Sequence, residues 1–251
     1  MYLDGLYFLH AGAGGADLER AIKSLRRVLE VAGDNPAVAA DLALAEARAA
    51  GRATASGPLT YVIFETGRAA SREQVRLDIP ILVVDVSYIG AAFPQLVFHE
   101  DYERHLTVEA GNARQTTAPV ASVDAIIAQD FRNELPAIIT KTLIATAAKA
   151  AAAYAINDAA RRQDEGLGLL ARLVTAAVQA AVNIADTRSW TTLPKEFQVA
   201  RLTPPADRTL RLTTPGQVAQ RVTLIDGEVT VVYVKSMRAG GPLWIHQFRL
   251  R

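Results

Sequence analysis

The chain has 251 residues and a formal net charge of +1, and half of its residues are hydrophobic. It therefore holds enough apolar surface for one large core or two small ones, and its balanced charge gives no general attraction to nucleic acid or to anionic membranes. Cysteine is absent, which excludes disulfides, a thiol nucleophile and a thiolate metal site.

The first 50 residues predict helices, because apolar residues recur there at helical spacing. Asp17 is the expected N-cap of the second helix and Gly33 its expected end. A third helix is expected to begin at Pro36, since a proline at the first helical position loses no hydrogen bond. Helix, turn and helix in this order are similar to a tetratricopeptide-type unit, although a generic helical hairpin fits the same pattern.

Residues 51–58, GRATASGP, are small, polar and rich in breakers, and they predict a linker. The sequence thus predicts a helical arm over 1–50 and an α+β domain over 58–251. Strands are expected across 59–121, where β-branched and aromatic residues alternate with polar ones. Pro80 favours an edge position or a bulge, because proline cannot donate to a strand ladder.

Residues 122–185 predict a pair of long, alanine-rich helices. Ser122 is the expected N-cap of the first helix, and Pro136 predicts a kink or a restart because it lacks a hydrogen-bond donor. The second helix is expected over 167–184, after the break DEGLG.

Strands return over 196–250, in an order typical of a C-terminal β-meander. Asp226-Gly227 lies between two alternating apolar runs and predicts a type I′ hairpin turn, in which both central residues need positive φ. The fold class is therefore α+β, with a mixed or antiparallel sheet around the central helix pair. Strands from both sides of that pair are expected to share a sheet or a sandwich.

No motif supports a catalytic site. GLGLLA (166–171) spells a dinucleotide fingerprint but follows a helix instead of a strand, and GAGG (12–15) lacks the Lys-Ser/Thr pair of a P-loop. His99 and His105 are six residues apart, whereas a zinc helix needs histidines four apart. We therefore predict no enzyme activity, no cofactor and no metal.

The stretch DTRSWTTLP (186–194) joins the helical region to the later strands. One interpretation places Trp190 in the core where helix meets sheet. The other is an exposed hot spot for a partner formed by Arg188 and Trp190, since both residue types are enriched in such sites. Glu65 and Arg76 belong to a polar cluster that fits either a solvated hairpin end or a ligand-facing surface. The candidate partner or ligand surface is thus Arg188, Trp190, Glu65 and Arg76.

Several phrases together, including YVIFETGRAASREQVRLDIPI, ADTRSWTTLPKEFQVARLTPP and VTVVYVKS, carry a family resemblance. From about Tyr2 to Ser236 the chain resembles an uncharacterised family of Gram-negative cell-envelope lipoproteins with N-terminal tetratricopeptide-like helices. The resemblance implies a periplasmic protein held at the outer membrane by a lipid anchor, loosely associated with peptidoglycan synthesis. The family's signal peptide and lipid-bearing cysteine are missing at the start of this chain, and the family supplies no catalytic residues.

We therefore expect a non-enzymatic cell-envelope protein that acts as a protein-interaction or scaffold module, linked to peptidoglycan or outer-membrane maintenance. Its expected partner is another envelope protein and not nucleic acid, and it would reach the membrane only through a lipid anchor that this chain lacks. The alternatives are a small-ligand or glycan-binding periplasmic domain with a pocket between sheet and helices, and an unrecognised hydrolase.

Overall fold

The structure is a computed structural model that describes residues 1–52, 57–83, 86–163, 174 and 184–251. Its helices are α1 (Tyr2–His10), α2 (Gly15–Ala32), α3 (Pro36–Ala49) and α4 (Val123–Gln163). Its strands are β1 (Leu59–Thr66), β2 (Ser71–Val83), β3 (Val86–Val97), β4 (Thr107–Ala110), β5 (Ala113–Thr116), β6 (Ala118–Ser122), β7 (Glu196–Leu202), β8 (Thr209–Thr213), β9 (Gln220–Thr223), β10 (Val229–Ser236) and β11 (Trp244–Arg249). The predicted α+β class is confirmed.

The chain forms two compact units. Unit 1 contains Met1–Ala69, His99–Ala125 and Thr192–Arg251, and unit 2 contains Ala70–Phe98 and Ile126–Thr191.

The N-terminal helices end and begin near the predicted residues. Gly33 stops α2 with a φ of 80°, a conformation that glycine adopts without steric cost. Pro36 opens α3, and the side chain of Asn35 caps it by accepting hydrogen bonds from two N–H groups of the first turn. Asp17 is not the N-cap of α2, because Gly14 takes that position and Asp17 lies within the first turn.

The main sheet of unit 1 has the strand order β11-β10-β1-β7-β6. β1 runs parallel to β10, and the other neighbours are antiparallel. Two of these strands precede α4 in the chain and three follow it. This confirms the prediction that strands from both sides of the central helix share a sheet.

The central strand β1 is buried along its whole length. Tyr61 and Ile63 contact the core that lies under α1, α2 and α3, whereas Val62 and Phe64 contact a second core. That second core is shared with a four-stranded sheet of order β5-β4-β8-β9. Unit 1 therefore has three layers, which are the helices, the main sheet and the smaller sheet.

The hairpin predicted at Asp226-Gly227 is wrong. β9 pairs with β8 in the smaller sheet, whereas β10 pairs with β1 and β11 in the main sheet, so the C-terminal strands do not form one meander. Neither Asp226 nor Gly227 has the positive φ that a type I′ turn requires. β10 is buried on both faces, which suits a place beside β1, whereas β9 exposes most of its residues.

Unit 2 contains the antiparallel hairpin of β2 and β3 and most of α4. The pairing of the two strands shifts register just after Pro80, as predicted. α4 carries Pro136 in its interior and does not restart there. Ser122 caps α4 as predicted, because its Oγ accepts from the N–H of Ala125. The second predicted helix lies outside the described residues, apart from Val174 and Ile184.

Candidate functional site

A buried carboxylate lies where α3 faces the main sheet. The Asp41 side chain is fully buried. Its Oδ2 accepts from the Tyr2 hydroxyl at 3.0 Å, and its Oδ1 accepts from the Tyr61 hydroxyl at 2.6 Å and from Arg201 Nε at 2.9 Å. Three donors from α1, β1 and β7 therefore surround one carboxylate of α3, as a buried charge requires.

Burial and neighbouring charges shift the pKa values of Asp41 and Tyr61 and so determine which of them is protonated. Burial raises the pKa of Asp41, while the hydrogen bond from Tyr61 and the charge of Arg201 offset part of this rise. Burial and the nearby Asp41 charge raise the pKa of the Tyr61 hydroxyl. Tyr61 therefore keeps its proton at neutral pH and donates it to Asp41.

His10, at the end of α1, extends this network toward a cavity. Its Nε2 lies 2.8 Å from the Tyr61 hydroxyl oxygen. That oxygen has already donated its only proton to Asp41, so it can only accept, and Nε2 must be the protonated nitrogen. Burial lowers the pKa of His10 to about 4, and the charges of Arg48, Arg201 and Arg251 act in the same direction. The ring is therefore neutral at pH 7, with Nδ1 as a hydrogen-bond acceptor.

A cavity of about 700 Å³ lies beside His10. Its lining residues are Leu9, His10, Gly12, Ala13, Gly14, Gly15, Leu18, Arg48, Gly57, Pro58, Glu228, Val229 and Arg251. Gly12 allows the chain to lie close to α1, and Gly14 leaves space in the cavity that a side chain would fill. A Cβ at Gly12 would lie 2.4 Å from the carbonyl oxygen of Phe8, whereas a Cβ at Gly14 would meet no atom within 4 Å. This volume falls within the range of small-molecule sites.

The sequence signal for this site is faint but present. Ala37, Asp41 and Ala45 recur at steps of four along α3, and all three are buried. A carboxylate on an otherwise small, apolar helix face predicts a buried polar partner, because a lone buried charge is too costly. His10 has no such signal, since nothing near it in the sequence links it to Tyr61, which is 51 residues away.

Trp190 does not lie in a helix–sheet core. Its side chain is 73% exposed, so the prediction that it packs where helix meets sheet is wrong. Arg188 is also exposed, and it forms an ion pair of 2.7 Å with Asp186. Trp190 is therefore exposed to solvent in the segment that precedes β7.

Glu65 and Arg76 lie in different units. Glu65 on β1 is 7% exposed, and its carboxylate accepts from Lys235 Nζ at 2.5 Å and from the Tyr233 hydroxyl. Both partners lie on the neighbouring strand β10, which leaves little of Glu65 to offer a ligand. Arg76 is exposed on β2.

A second charged cluster, missed in the sequence, surrounds Lys195. Its Nζ lies 2.7 Å from Asp124 Oδ2 and 3.0 Å from Glu100 Oε1, and 5.0 Å from the centre of the Tyr102 ring. Burial acts to lower the pKa of Lys195, but the hydrogen bonds to the two carboxylates outweigh it and raise the pKa. The Lys195 carbonyl also accepts from the N–H of Val123. The cluster therefore joins the start of α4 to β7, and we assign it a structural role.

Within the described residues, no three His, Asp or Glu side chains converge to form a metal site. Comparison of the chain with protein-family models, curated proteins and solved structures gives no match.

Proposed function

We propose that the chain is a non-enzymatic interaction module of the cell envelope, and that α4 provides its contact surface. The observation that carries this proposal is a set of large apolar side chains exposed on that helix. They are Ile126, Ile139, Leu143, Ile144, Tyr154 and Ile156. Large apolar side chains exposed in this number on one helix are typical of interaction sites.

The two faces of α4 differ in their contacts. Residues at steps of three and four, such as Phe131, Leu135 and Ile138, are buried or half-buried. The opposite face carries Leu143 and Ile144, which are 54% and 66% exposed. An amphipathic surface helix normally presents polar residues on its outer face. α4 instead presents apolar residues there, as expected for a helix that makes a second contact.

A protein surface fits this face better than a lipid bilayer does. By length and composition, α4 could cross a membrane. However, Lys141 and Lys149 lie in its most apolar part, and each charge costs roughly 2.5–3.5 kcal/mol at the centre of a bilayer. A protein partner leaves exposed lysines such as Lys141 at the rim of the contact, in water.

We commit to a second copy of this chain as the occupant of this face. In an antiparallel pair of α4 helices that cross near Ala148, Ile144 of one copy meets Ala152 of the other. Two-fold symmetry repeats this contact, so Ala152 of the first copy also meets Ile144 of the second. A large side chain therefore faces a small one at both places. The hairpin of β2 and β3 also favours a second copy. Among the described residues it forms a two-stranded sheet, and such a sheet is only marginally stable unless another chain or element packs against it.

Other parts of the proposal rest on the sequence. Arg188 and Trp190 are the residues that we propose for contact with another envelope protein. The tetratricopeptide-like character of α1 to α3, the periplasmic location and the outer-membrane lipid anchor follow from the family resemblance alone. Labelling of the full gene product with radioactive palmitate, followed by membrane fractionation, tests the anchor and the location. A full product that stays unlabelled and cytoplasmic contradicts both.

The experiment for the α4 surface is sedimentation velocity over a range of concentrations. We expect the parent to form dimers or larger species, and the double variant Leu143→Glu, Ile144→Glu to be monomeric. Gln129→Glu is the control, because it adds a carboxylate to α4 about 20 Å from Ile144. A monomeric parent, or a double variant that assembles like the parent, overturns the choice of a second copy. Flotation with lipid vesicles that only the parent shows would make a bilayer the occupant instead.

The alternative function, a small-ligand-binding domain, is favoured by one observation, the cavity beside His10.

A further inference from the structure

We propose that the outer edge of β11 binds an extended peptide that ends in a free carboxylate. The peptide adds to the main sheet as an antiparallel strand, and its carboxylate lies beside Arg68 and Arg238. All the residues that carry this inference belong to unit 1, and it does not depend on the α4 surface.

The first step concerns the edges of the main sheet, which are β6 and β11. β6 contains Pro119 and shifts register beside it, and the carbonyl groups of Ala118 and Pro119 accept from the Asn35 side chain. Such features prevent another strand from pairing. β11 contains no proline, and it pairs with β10 over its six residues without a register shift. The outer backbone groups of β11 therefore suit a further strand.

The second step concerns the side chains of β11. Ile245 packs against the core between the two sheets, so the residues on either side of it point to the opposite face. On that face Trp244 and Phe248 are 51% and 38% exposed, and His246 is exposed between them. An added strand places every second side chain beside this row and removes aromatic surface from water. The edge therefore favours a peptide with apolar residues at alternate positions.

The third step concerns charge at the start of β11. A cavity of about 530 Å³ lies there, and Trp244, Arg68, Arg238 and Asp101 contribute to its wall. Within the described residues, neither arginine side chain has a hydrogen bond or an ion pair. An antiparallel strand brings its carboxyl end to the start of β11, where two guanidinium groups outnumber one carboxylate. A parallel strand would bring its ammonium group there instead.

The backbone holds both arginines in place before a peptide binds. On either side of Arg68, the backbone N–H groups donate to carbonyl groups of other segments at 2.8 and 2.9 Å. Arg238 begins a turn that Gly241 closes, because its N–H donates to the Arg238 carbonyl at 3.1 Å. The N–H of Gly240 in the same turn donates at 2.7 Å to Glu103, which is 3% exposed. A site held in this way loses less conformational entropy on binding.

A peptide fits this edge better than a second copy does. Two β11 strands paired antiparallel over their full length would place Trp244 of each copy opposite Arg249 of the other. Arg249 would then approach the cavity that already contains Arg68 and Arg238, and like charges at close range are destabilising. A peptide carboxylate supplies the opposite charge.

The test uses the peptide Gly-Ser-Thr-Val-Thr-Val-Thr-Val with tetramethylrhodamine at its N-terminus. One form has a free carboxylate and the other a terminal amide. We expect the free form to bind the parent about tenfold more tightly, because a hydrogen bond from a charged group contributes roughly this factor. Fluorescence anisotropy measures both affinities. Equal affinities, or no saturable binding of the free form below about 1 mM protein, overturn the inference.

The double variant Arg68→Gln, Arg238→Gln locates the carboxylate. Both side chains are exposed, so the variant should melt like the parent. It should bind the free form about tenfold more weakly and the amide form as the parent does. Arg27→Gln is the matched control, since Arg27 is exposed on α2 and pairs with Glu30. A double variant that still prefers the free form contradicts the place given to the carboxylate.

Methylation of the peptide backbone tests strand pairing. Methyl groups on the nitrogens of the valines block one edge of the peptide strand, and methyl groups on those of the threonines block the other. Only one of these two peptides should bind like the unmethylated one. Equal affinities of the two would exclude the addition of a strand.

Tryptophan emission shows whether the peptide lies on β11. In a Trp190→Phe background, the unlabelled free form should move the emission of Trp244 to shorter wavelength, because the peptide covers its ring. Binding that leaves this emission unchanged places the peptide elsewhere and refutes the proposal. The α4 double variant should bind the free form like the parent, so this proposal and that of the α4 surface fail separately.

Discussion

At the scale of single residues, Trp190 gives the most direct test of the structure. Its side chain is 73% exposed, so Trp190→Ala removes little packing and should leave the melting temperature near that of the parent. In a Trp244→Phe background, the emission of Trp190 should resemble that of tryptophan in water. Differential scanning calorimetry and fluorescence measure the two effects.

Phe64→Ala is the control for Trp190. Phe64 is fully buried in the core between the two sheets, and such a truncation costs roughly 3–5 kcal/mol. A loss of similar size for Trp190→Ala, or a blue-shifted emission, would return Trp190 to a packed position.

His10 makes stability depend on pH. Its pKa falls from 6.5 in the unfolded chain to about 4 in the folded one, so the unfolded chain binds a proton first as pH drops. The contribution of His10 to the free energy of unfolding is therefore complete above pH 6.5. It decreases as the pH falls toward 4, by about 2 kcal/mol at pH 5. Urea unfolding at about pH 7.5 and about pH 5 measures this loss, which His10→Gln should reduce.

The comparison with His10→Gln is needed because Asp41 acts in the opposite direction. The raised pKa of Asp41 makes the folded chain gain relative stability as pH falls through that raised pKa. Asp41 is present in both proteins, so the difference between their pH profiles reports His10. Identical profiles would mean that His10 is not buried in a neutral form.

At the scale of elements, the helix does not restart at Pro136. A proline in a helix interior costs about 3 kcal/mol relative to alanine, yet α4 continues from Val123 to Gln163. Pro136→Ala restores a backbone N–H donor to the helix. The replacement also makes the unfolded chain more flexible, which offsets about 0.4–1 kcal/mol of the gain in stability. We expect a gain of about 2 kcal/mol and a higher melting temperature.

Pro36→Ala is the matched control for Pro136. Pro36 lies at the start of α3, where the missing N–H has no partner in the helix, so the replacement should not raise stability. A melting temperature that falls in Pro136→Ala would show that packing of α4 needs the geometry imposed by the proline.

At the scale of the whole molecule, the boundary at 51–58 stays a prediction. If residues 1–50 form a semi-independent arm, a chain that lacks them should still melt cooperatively. The contacts predict otherwise, because α1 to α3 cover the face of the main sheet that carries Tyr61 and Ile63. Asn35 adds two hydrogen bonds to the carbonyl groups of Ala118 and Pro119 on β6.

We therefore expect the chain lacking residues 1–50 to bind hydrophobic dyes and to lose its cooperative melt. Calorimetry and dye fluorescence decide between the two expectations. A soluble remainder that melts sharply would support the arm as a separate domain.

The sequence by itself determined which segments are helices and strands, because hydrophobic periodicity and breakers are local properties of the chain. β1 begins at Leu59, where the predicted strand region begins, and α2 ends where Gly33 stops it. Tertiary structure alone decided which elements are neighbours. Asp226-Gly227 has the composition of a hairpin turn, yet β10 pairs in the main sheet, because burial on both faces outweighs local turn preference.

The candidate site depends still more on tertiary structure. His10, Asp41 and Tyr61 are separated by 20 residues or more along the chain and meet only where α1, α3 and β1 pack together. Each has an ordinary local context, and neither the tautomer of His10 nor the protonation of Asp41 follows from neighbours in sequence. The hydrogen bond to Tyr61 sets the tautomer of His10, and burial together with Tyr61 and Arg201 sets the pKa of Asp41. These contacts arise only when the layers assemble.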